Sequence, residues 1–322
     1  MILVICLNPA LDITYYVPAV DWSGVNRPTA VHARPGGKGL NVARTLRALG
    51  AEVLVMGLAG GITGAGVAAA LGELGVPGAF TAIAGETRRT FTVVDGRRGA
   101  AALFSEAGPA VAEDEFGEFR VQYEKALAGS AAVVLSGSLP PGLPEDSYAT
   151  LIATAAAAGV PAVLDAHGAA LLRGAAAGPA IVKPNLAELE ALSGQSLSTA
   201  AGADRPAVAA AAGRLRAAGA QAVVASLGAE GLLAVTEDGS WGARPAAPVA
   251  GNATGAGDAV TAGLAHGLVL GRPWDERLRH AVALGTAAAA APAAGEFSAA
   301  DYARGLDEAT VRRESVRREG ER

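Results

Sequence analysis

Short apolar, β-branched runs alternate with Ala- and Leu-rich stretches along most of this chain. Ile2–Leu7, Val53–Leu58, Ala132–Ser136, Ala162–Asp165, Ala180–Lys183, Ala222–Ser226 and Leu232–Thr236 read as strands. Their nearly unbroken apolar character suits burial on both faces of a parallel sheet. Leu40–Leu49, Val67–Leu74, Glu113–Leu127, Glu145–Ala158, Leu186–Ser193, Arg205–Ala218, Ala256–Leu270, Glu276–Ala291 and Ala299–Glu308 read as helices. Strands alternating with helices predict an α/β fold, a mainly parallel sheet covered by helices on both faces. Two segments break the alternation. Asp12–Val17 with Arg27–Arg34, and Thr90–Asp95 with Ala101–Ser105, interleave polar and apolar residues without a helix between them. They predict a small β-sheet lid made of residues 12–34 and 88–106, with Asp95-Gly96-Arg97-Arg98 as a hairpin turn. Residues 1–310 form one domain on this reading, and the charged stretch 311–322 is expected to be a disordered tail.

Composition changes this picture in three ways. The 322 residues are 51% apolar, enough for a substantial core, and the net charge of −5 comes without a basic stripe outside the tail. That argues against nucleic acid as a partner. Cys6 is the lone cysteine, which excludes an internal disulfide and points to a reducing compartment. No apolar run is long enough to span a bilayer, and the N-terminus lacks a basic flank, so a cytoplasmic protein without membrane attachment is expected.

The chain uses Arg almost everywhere for positive charge and keeps three Lys: Lys38, Lys125 and Lys183. It has five Asn: Asn8, Asn26, Asn41, Asn185 and Asn252. Two of these Lys and four of these Asn fall in Gly/Pro-rich junctions, which suggests one polar site assembled from distant segments. In an α/β sheet such residues gather beyond the carboxyl ends of the strands, where Asn8, Ser136, Ser138, Asp165, Lys183 and Ser226 also fall. The most telling junction is Asn252-Ala253-Thr254-Gly255-Ala256-Gly257-Asp258, directly before a predicted helix. Unpaired N–H groups at a helix start hold anions, and small residues let a ligand approach. A carboxylate there repels a passive phosphate, but it suits a centre that must take a proton from a nucleophile during phosphoryl transfer. An ordinary Gly-rich turn is the plainer alternative. Gly36-Gly37-Lys38-Gly39 is not a Walker loop, because no Ser or Thr follows the Lys. His32, His167, His266 and His280 are scattered without ligand spacing, so no zinc site is read.

Seven motifs in order carry a resemblance. They are Asn8-Pro9-Ala10-Leu11-Asp12, Arg34 to Ala43, Thr87-Arg88, Ser136 to Gly142, Lys183-Pro184-Asn185 with Glu188, Ser226 to Gly231, and Asn252 to Asp258. Over almost its whole length the chain resembles the PfkB (ribokinase-like) carbohydrate kinases. It is most similar to their hexose-phosphate branch, which holds 1-phosphofructokinase and tagatose-6-phosphate kinase. The resemblance implies a ribokinase-like three-layer α/β/α fold with a lid. It implies ATP as donor, Mg²⁺ as cofactor and a hexose phosphate as acceptor, with fructose 1-phosphate to fructose 1,6-bisphosphate as the expected reaction. Tagatose 6-phosphate or another sugar is the nearest alternative acceptor. A non-catalytic sugar-phosphate- or nucleotide-binding regulator is the alternative from another class.

On the same reading Asp258 is the base, and Gly255, Ala256 and Gly257 supply the anion-binding N–H groups. Asp12, Gly36, Gly37, Asn41 and Ser138 face the sugar. Lys38 and Arg88 are expected to hold a phosphate already on it. Kinases of unphosphorylated sugars in the family tend to lack a Lys at the position of Lys38. The doublet Arg88-Arg89 departs from the branch pattern and leaves both arginines as candidates. Lys183, Asn185, Ser226, Gly228, Gly231, Asn252 and Thr254 are expected around the nucleotide, with Pro248 to Asn252 near adenine and ribose. Asn185 and Glu188 are expected to organise Mg²⁺ through water. Apolar lid positions such as Val17, Val31, Phe91 and Val93 predict either lid-to-lid pairing in a homodimer or closure onto the body.

Overall fold

The computed structural model describes residues 1–247, 254–291 and 293–314. In chain order the elements are β1 (Ile2–Cys6), β2 (Ala10–Val17), β3 (Ala30–Gly36), α1 (Lys38–Ala48), β4 (Val53–Ala59), α2 (Gly61–Glu73), β5 (Gly78–Ala82), β6 (Arg88–Asp95), β7 (Ala100–Ser105) and α3 (Glu113–Leu127). There follow β8 (Ala132–Ser136), α4 (Ser147–Ala157), β9 (Ala162–Asp165), α5 (Gly168–Ala176), β10 (Ile181–Val182), α6 (Leu186–Ser193), β11 (Ser198–Thr199), β12 (Gly202–Ala203) and α7 (Arg205–Ala217). The last are β13 (Val223–Ser226), β14 (Leu232–Thr236), β15 (Gly239–Arg244), α8 (Ala256–Val269), α9 (Trp274–Ala290), α10 (Ala299–Glu308) and β16 (Thr310–Glu314).

Among the described residues the main sheet has ten strands in the order β16-β15-β14-β13-β10-β9-β8-β1-β4-β5. Pairing is parallel from β13 to β5 and antiparallel from β13 outward to β16. Side chains that alternate along each strand divide between two cores. Leu3, Ile5, Val133, Leu135 and Leu164 meet the layer that contains α3, α4, α5 and α7. Ile2, Val4, Val134, Val163 and Val224 meet α1, α2, α8 and α9. This is the three-layer α/β/α arrangement expected. The lid is a separate four-stranded sheet, β3-β2-β6-β7, in which β2 and β6 run parallel and the outer pairs antiparallel. Its hairpin turn is closed by Asp95, whose Oδ1 accepts from the N–H groups of Arg97 (2.9 Å) and Arg98 (3.1 Å).

Three expectations need correction. The helix read as Val67–Leu74 begins at Gly61, because the glycine-rich opening hid its first turns. The short helix α5 was not foreseen: its nine residues contain two glycines. The charged stretch is not a tail from its start, since β16 extends the sheet antiparallel to β15. Arg313 lies 4.8 Å over the Trp241 ring and Glu314 pairs with Arg205 at 2.5 Å, so charged side chains dock an edge strand. Residues 315–322 lie outside the described residues.

Candidate active site

Loops at the carboxyl ends of β1, β8 and β9 and the start of α8 meet the inner face of the lid around one cavity of about 1080 Å³. Asp258 stands in the first turn of α8 and is 6% exposed. Gly255 precedes the helix with φ +86°, and a Cβ there would lie 2.8 Å from Ala294 Cα. Only glycine therefore fits this turn. Asn41, in the first turn of α1, donates Nδ2–H to Asp258 Oδ2 at 2.9 Å. Burial raises the Asp258 carboxyl to about 6, with the Asp165 charge adding to the rise; Lys38, Asn41 and Lys183 oppose it. A carboxyl poised there is ionised near neutrality yet basic enough to take a proton.

Beneath it lies a charge cluster. Asp165 ends β9 fully buried, and its Oδ1 accepts from Lys38 Nζ at 2.8 Å. Its Oδ2 lies 3.4 Å from Lys183 Nζ and accepts from the Thr261 hydroxyl at 2.8 Å. Burial alone would raise this carboxyl, but the two ammonium groups outweigh it and hold it below the ordinary carboxylate range. Burial would likewise lower Lys38. The charges of Asp165, Asp258 and Glu188 reverse that and raise it. Lys38 faces Asp165 on one side and, at 36% side-chain exposure, the cavity on the other.

Arg88 faces different partners. It starts β6, donates Nε–H to the Asn8 carbonyl (3.1 Å) and Nη1–H to the Ser105 hydroxyl (2.9 Å), and lines the cavity. Arg89 alternates to the outer face and pairs with Glu106 at 3.4 Å. Of the doublet, Arg88 lines the cavity and Arg89 does not. Asp12 lines the same wall, and burial raises its carboxyl despite the Thr90 hydroxyl and the Arg88 charge. It presses against Gly36, where a Cβ would meet Asp12 Oδ2 at 2.0 Å. Gly37, with φ +100°, opens α1. Ser138 lines the cavity and accepts from Asn8 Nδ2 at 3.0 Å.

The donor side is less concentrated. Lys183 Nζ lies 3.8 Å from where a Cβ on Gly257 would stand. Asn185 and Glu188 cap α6 reciprocally: Asn185 Oδ1 accepts from the Glu188 N–H, and Glu188 Oε2 from the Asn185 N–H, both at 2.8 Å. The Asn-x-x-Glu spacing is therefore also a helix-start signature. Ser226 bridges to Asn185, Gly228 opens a single 3₁₀ turn, and Gly231 (φ +85°) closes it, where a Cβ would meet the Ala243 carbonyl at 2.1 Å. These three do not line the cavity. Thr254 does; Pro248 to Asn252, including Asn252, lie outside the described residues. Sequence reasoning placed Asp165 at a strand end but gave it no role, and it missed Arg34, Arg44 and His167 on the cavity wall. A lone Asp closing a buried strand was the available signal for Asp165; the arginines carried none in an Arg-rich chain.

A glycine-opened helix start, a buried carboxyl raised to about 6 beside it and a lid over the cavity are the arrangement of a lidded α/β phosphotransferase. The chain belongs to the pfkB family of carbohydrate kinases, whose model matches residues 6–300. It is 39% identical over 270 residues to a 1-phosphofructokinase of Xanthomonas campestris pv. campestris, covering 82% of this chain and 83% of that one. Phosphofructokinase-2 from Escherichia coli, solved in a tetrameric inhibited form, superposes with a TM-score of 0.87 at 31% identity, covering 95% and 98% of the two chains. A possible 1-phosphofructokinase from Thermotoga maritima superposes with a TM-score of 0.84 at 25% identity, covering 98% and 100%. Among the described residues no helix is long and apolar enough to cross a membrane.

Proposed function

We propose that this kinase transfers the terminal phosphoryl group of ATP to a hexose phosphate, with fructose 1-phosphate as acceptor and fructose 1,6-bisphosphate as product. The carrying observation is Asp258, raised to about 6 and held by Asn41 at the opening of α8. It takes the proton of the acceptor hydroxyl while the N–H groups around Gly255, Ala256 and Gly257 receive the transferring group. A coupled ADP-release assay over hexose phosphates, free sugars and nucleosides tests this. Preference for tagatose 6-phosphate would move the protein within its branch. Preference for free fructose, ribose or adenosine would overturn the hexose-phosphate assignment.

The charges sort into two ends. Arg88 and Asp12 stand on the acceptor wall, whereas Lys38, Lys183 and Asp165 sit beneath the reacting hydroxyl. This geometry favours Arg88 for the acceptor's own phosphate and Lys38 for the phosphoryl group in transfer, a change from the pairing read in the sequence. Arg88→Ala is expected to raise the acceptor KM by about 10- to 100-fold, the loss of one charge-assisted contact. Lys38→Ala is expected to lower kcat by a similar factor with acceptor KM changed less than about threefold. If Lys38→Ala instead raises KM alone, the pairing of both cations on the acceptor phosphate is restored.

Mg²⁺ characteristically takes one or two carboxylates together with phosphates and water, and Glu188 is a hard oxygen donor whose charge already reaches Lys38. Bound beside the donor phosphates, the ion would neutralise charge developing on them. Asn185 would support the same face. Glu188→Gln keeps an oxygen for the α6 cap, so folding should hold while the Mg²⁺ concentration for half-maximal rate rises about tenfold. An unchanged Mg²⁺ titration would leave Glu188 as a cap alone.

Lid residues remain exposed on both faces: Tyr16 and Leu103 toward the cavity, Val31 and Phe104 away from it. Two paired lids would cover them, and sedimentation at micromolar concentration is expected to give a homodimer. A monomer there would remove lid pairing and leave closure onto the body.

A further inference from the structure

We infer that Glu296 is a positioning residue that couples the lid to the phosphoryl-transfer centre through two arginines. It stands between α9 and α10, outside the cavity wall. Its Oε1 accepts from Arg34 on lid strand β3 and from Arg44 Nη2 on α1, the latter at 3.1 Å. Arg44 follows Asn41 by three residues on one helix face, and its side chain is 8% exposed. Its Nη1 donates to the Ala294 carbonyl at 3.0 Å. Ala294 packs against Gly255 so closely that a Cβ there would come within 2.8 Å of Ala294 Cα. Gly295, with φ +74°, brings the chain past α1, where a Cβ would lie 3.2 Å from Asn41 Cα.

One three-residue segment, Ala294 to Glu296, therefore touches three things: the lid strand, the helix that carries the asparagine on Asp258, and the glycine that opens α8. Ala294 lines the cavity, whereas Gly295 and Glu296 do not. Glu296 is 39% exposed, so its ion pairs contribute little to stability by themselves. Their consequence is geometric. A shift of β3 that moves Arg34 pulls on Glu296, and Glu296 shares an oxygen with the arginine that fixes the backbone behind Gly255. Lid position and the shape of the anion site thereby become one variable.

The catalytic half of this inference rests on the kinase reading above; the mechanical half does not. Hydrogen exchange on the ligand-free protein tests the mechanical half. Arg34→Met changes only a lid side chain, yet amides of residues 255–258 are expected to exchange about fivefold faster or more, the lower range of coupling between sites. Glu296→Gln should accelerate both residues 30–36 and residues 255–258, and Glu296→Asp should restore part of each. Steady-state kinetics follow the catalytic half: Glu296→Gln should raise ADP released to water relative to sugar phosphorylated, as lid and centre fall out of step. Faster exchange confined to 30–36, or none, overturns the coupling. Coupled exchange in a protein that phosphorylates no sugar would leave the coupling standing and sink the kinase reading. An unchanged ratio of ADP to product in Glu296→Gln would overturn the catalytic half.

Discussion

Asp258→Asn is expected to lower kcat by about a hundredfold or more, the usual scale for losing a general base, with nucleotide Kd nearly unchanged. The replacement is nearly isosteric and can still accept the Asn41 amide bond seen at 2.9 Å. The wild-type kcat/KM should carry the matching signature. Asp258 acts only when ionised, so activity should fall as pH drops through about 6. Stability should move the other way. A carboxyl raised above its ordinary range binds its proton more tightly in the folded state. Its contribution is complete below the ordinary carboxylate range and is lost as pH rises through about 6. At pH 8 the ionised group is a cost of up to about 3 kcal/mol that the asparagine removes. Calorimetry at pH 8 should show Asp258→Asn melting no lower than wild type, and higher if the neighbouring lysines tolerate the change. Near-normal turnover in this variant would remove Asp258 from the mechanism.

The second large effect belongs to Asp165. Asp165→Asn withdraws the shared counter-charge of Lys38 and of Lys183, whose side chain is 2% exposed. Breaking a buried pair from one side costs about 3–5 kcal/mol, because the remaining charge stays desolvated. For a domain of this size that is a fall in Tm on the order of 10 °C. Asp165 sits below its ordinary range, so its stabilisation is present at neutral pH and lost on acidification. The difference from wild type should therefore shrink toward pH 3. Residual activity carries a second readout: without the Asp165 charge, Asp258 loses one cause of its rise, and the acid limb of the pH profile should move to lower pH. An unchanged Tm together with an unmoved acid limb would show that the two lysines do not depend on Asp165.

The body of the fold was legible because its signals are local. β8, β14, α3, α6 and α10 fall where the apolar runs and helical stretches place them. Local chemistry also located the site. Glycines at Gly36, Gly37 and Gly255 mark places where side chains or neighbouring backbone leave no room for a Cβ or where φ is positive, and such needs are written in the residue itself. The same locality sets the limit of such reading. It does not tell the two uses of Asn185 and Glu188 apart, because the spacing that the resemblance assigns to Mg²⁺ also builds the reciprocal cap of α6.

By itself the sequence determined the alternation of strands and helices, the lid hairpin and the set of junctions that would meet, since periodicity and turn chemistry act over a few residues. Only the tertiary structure decided which charge faces which. Lys38 and Asp165 are 127 residues apart, and Arg34 and Glu296 are 262 apart. Their meetings follow from strand order and from the lid's position. The Val-Arg-Arg-Glu stretch became β16 because Trp241 and Arg205 waited at a sheet edge, a partner that no window of local sequence contains.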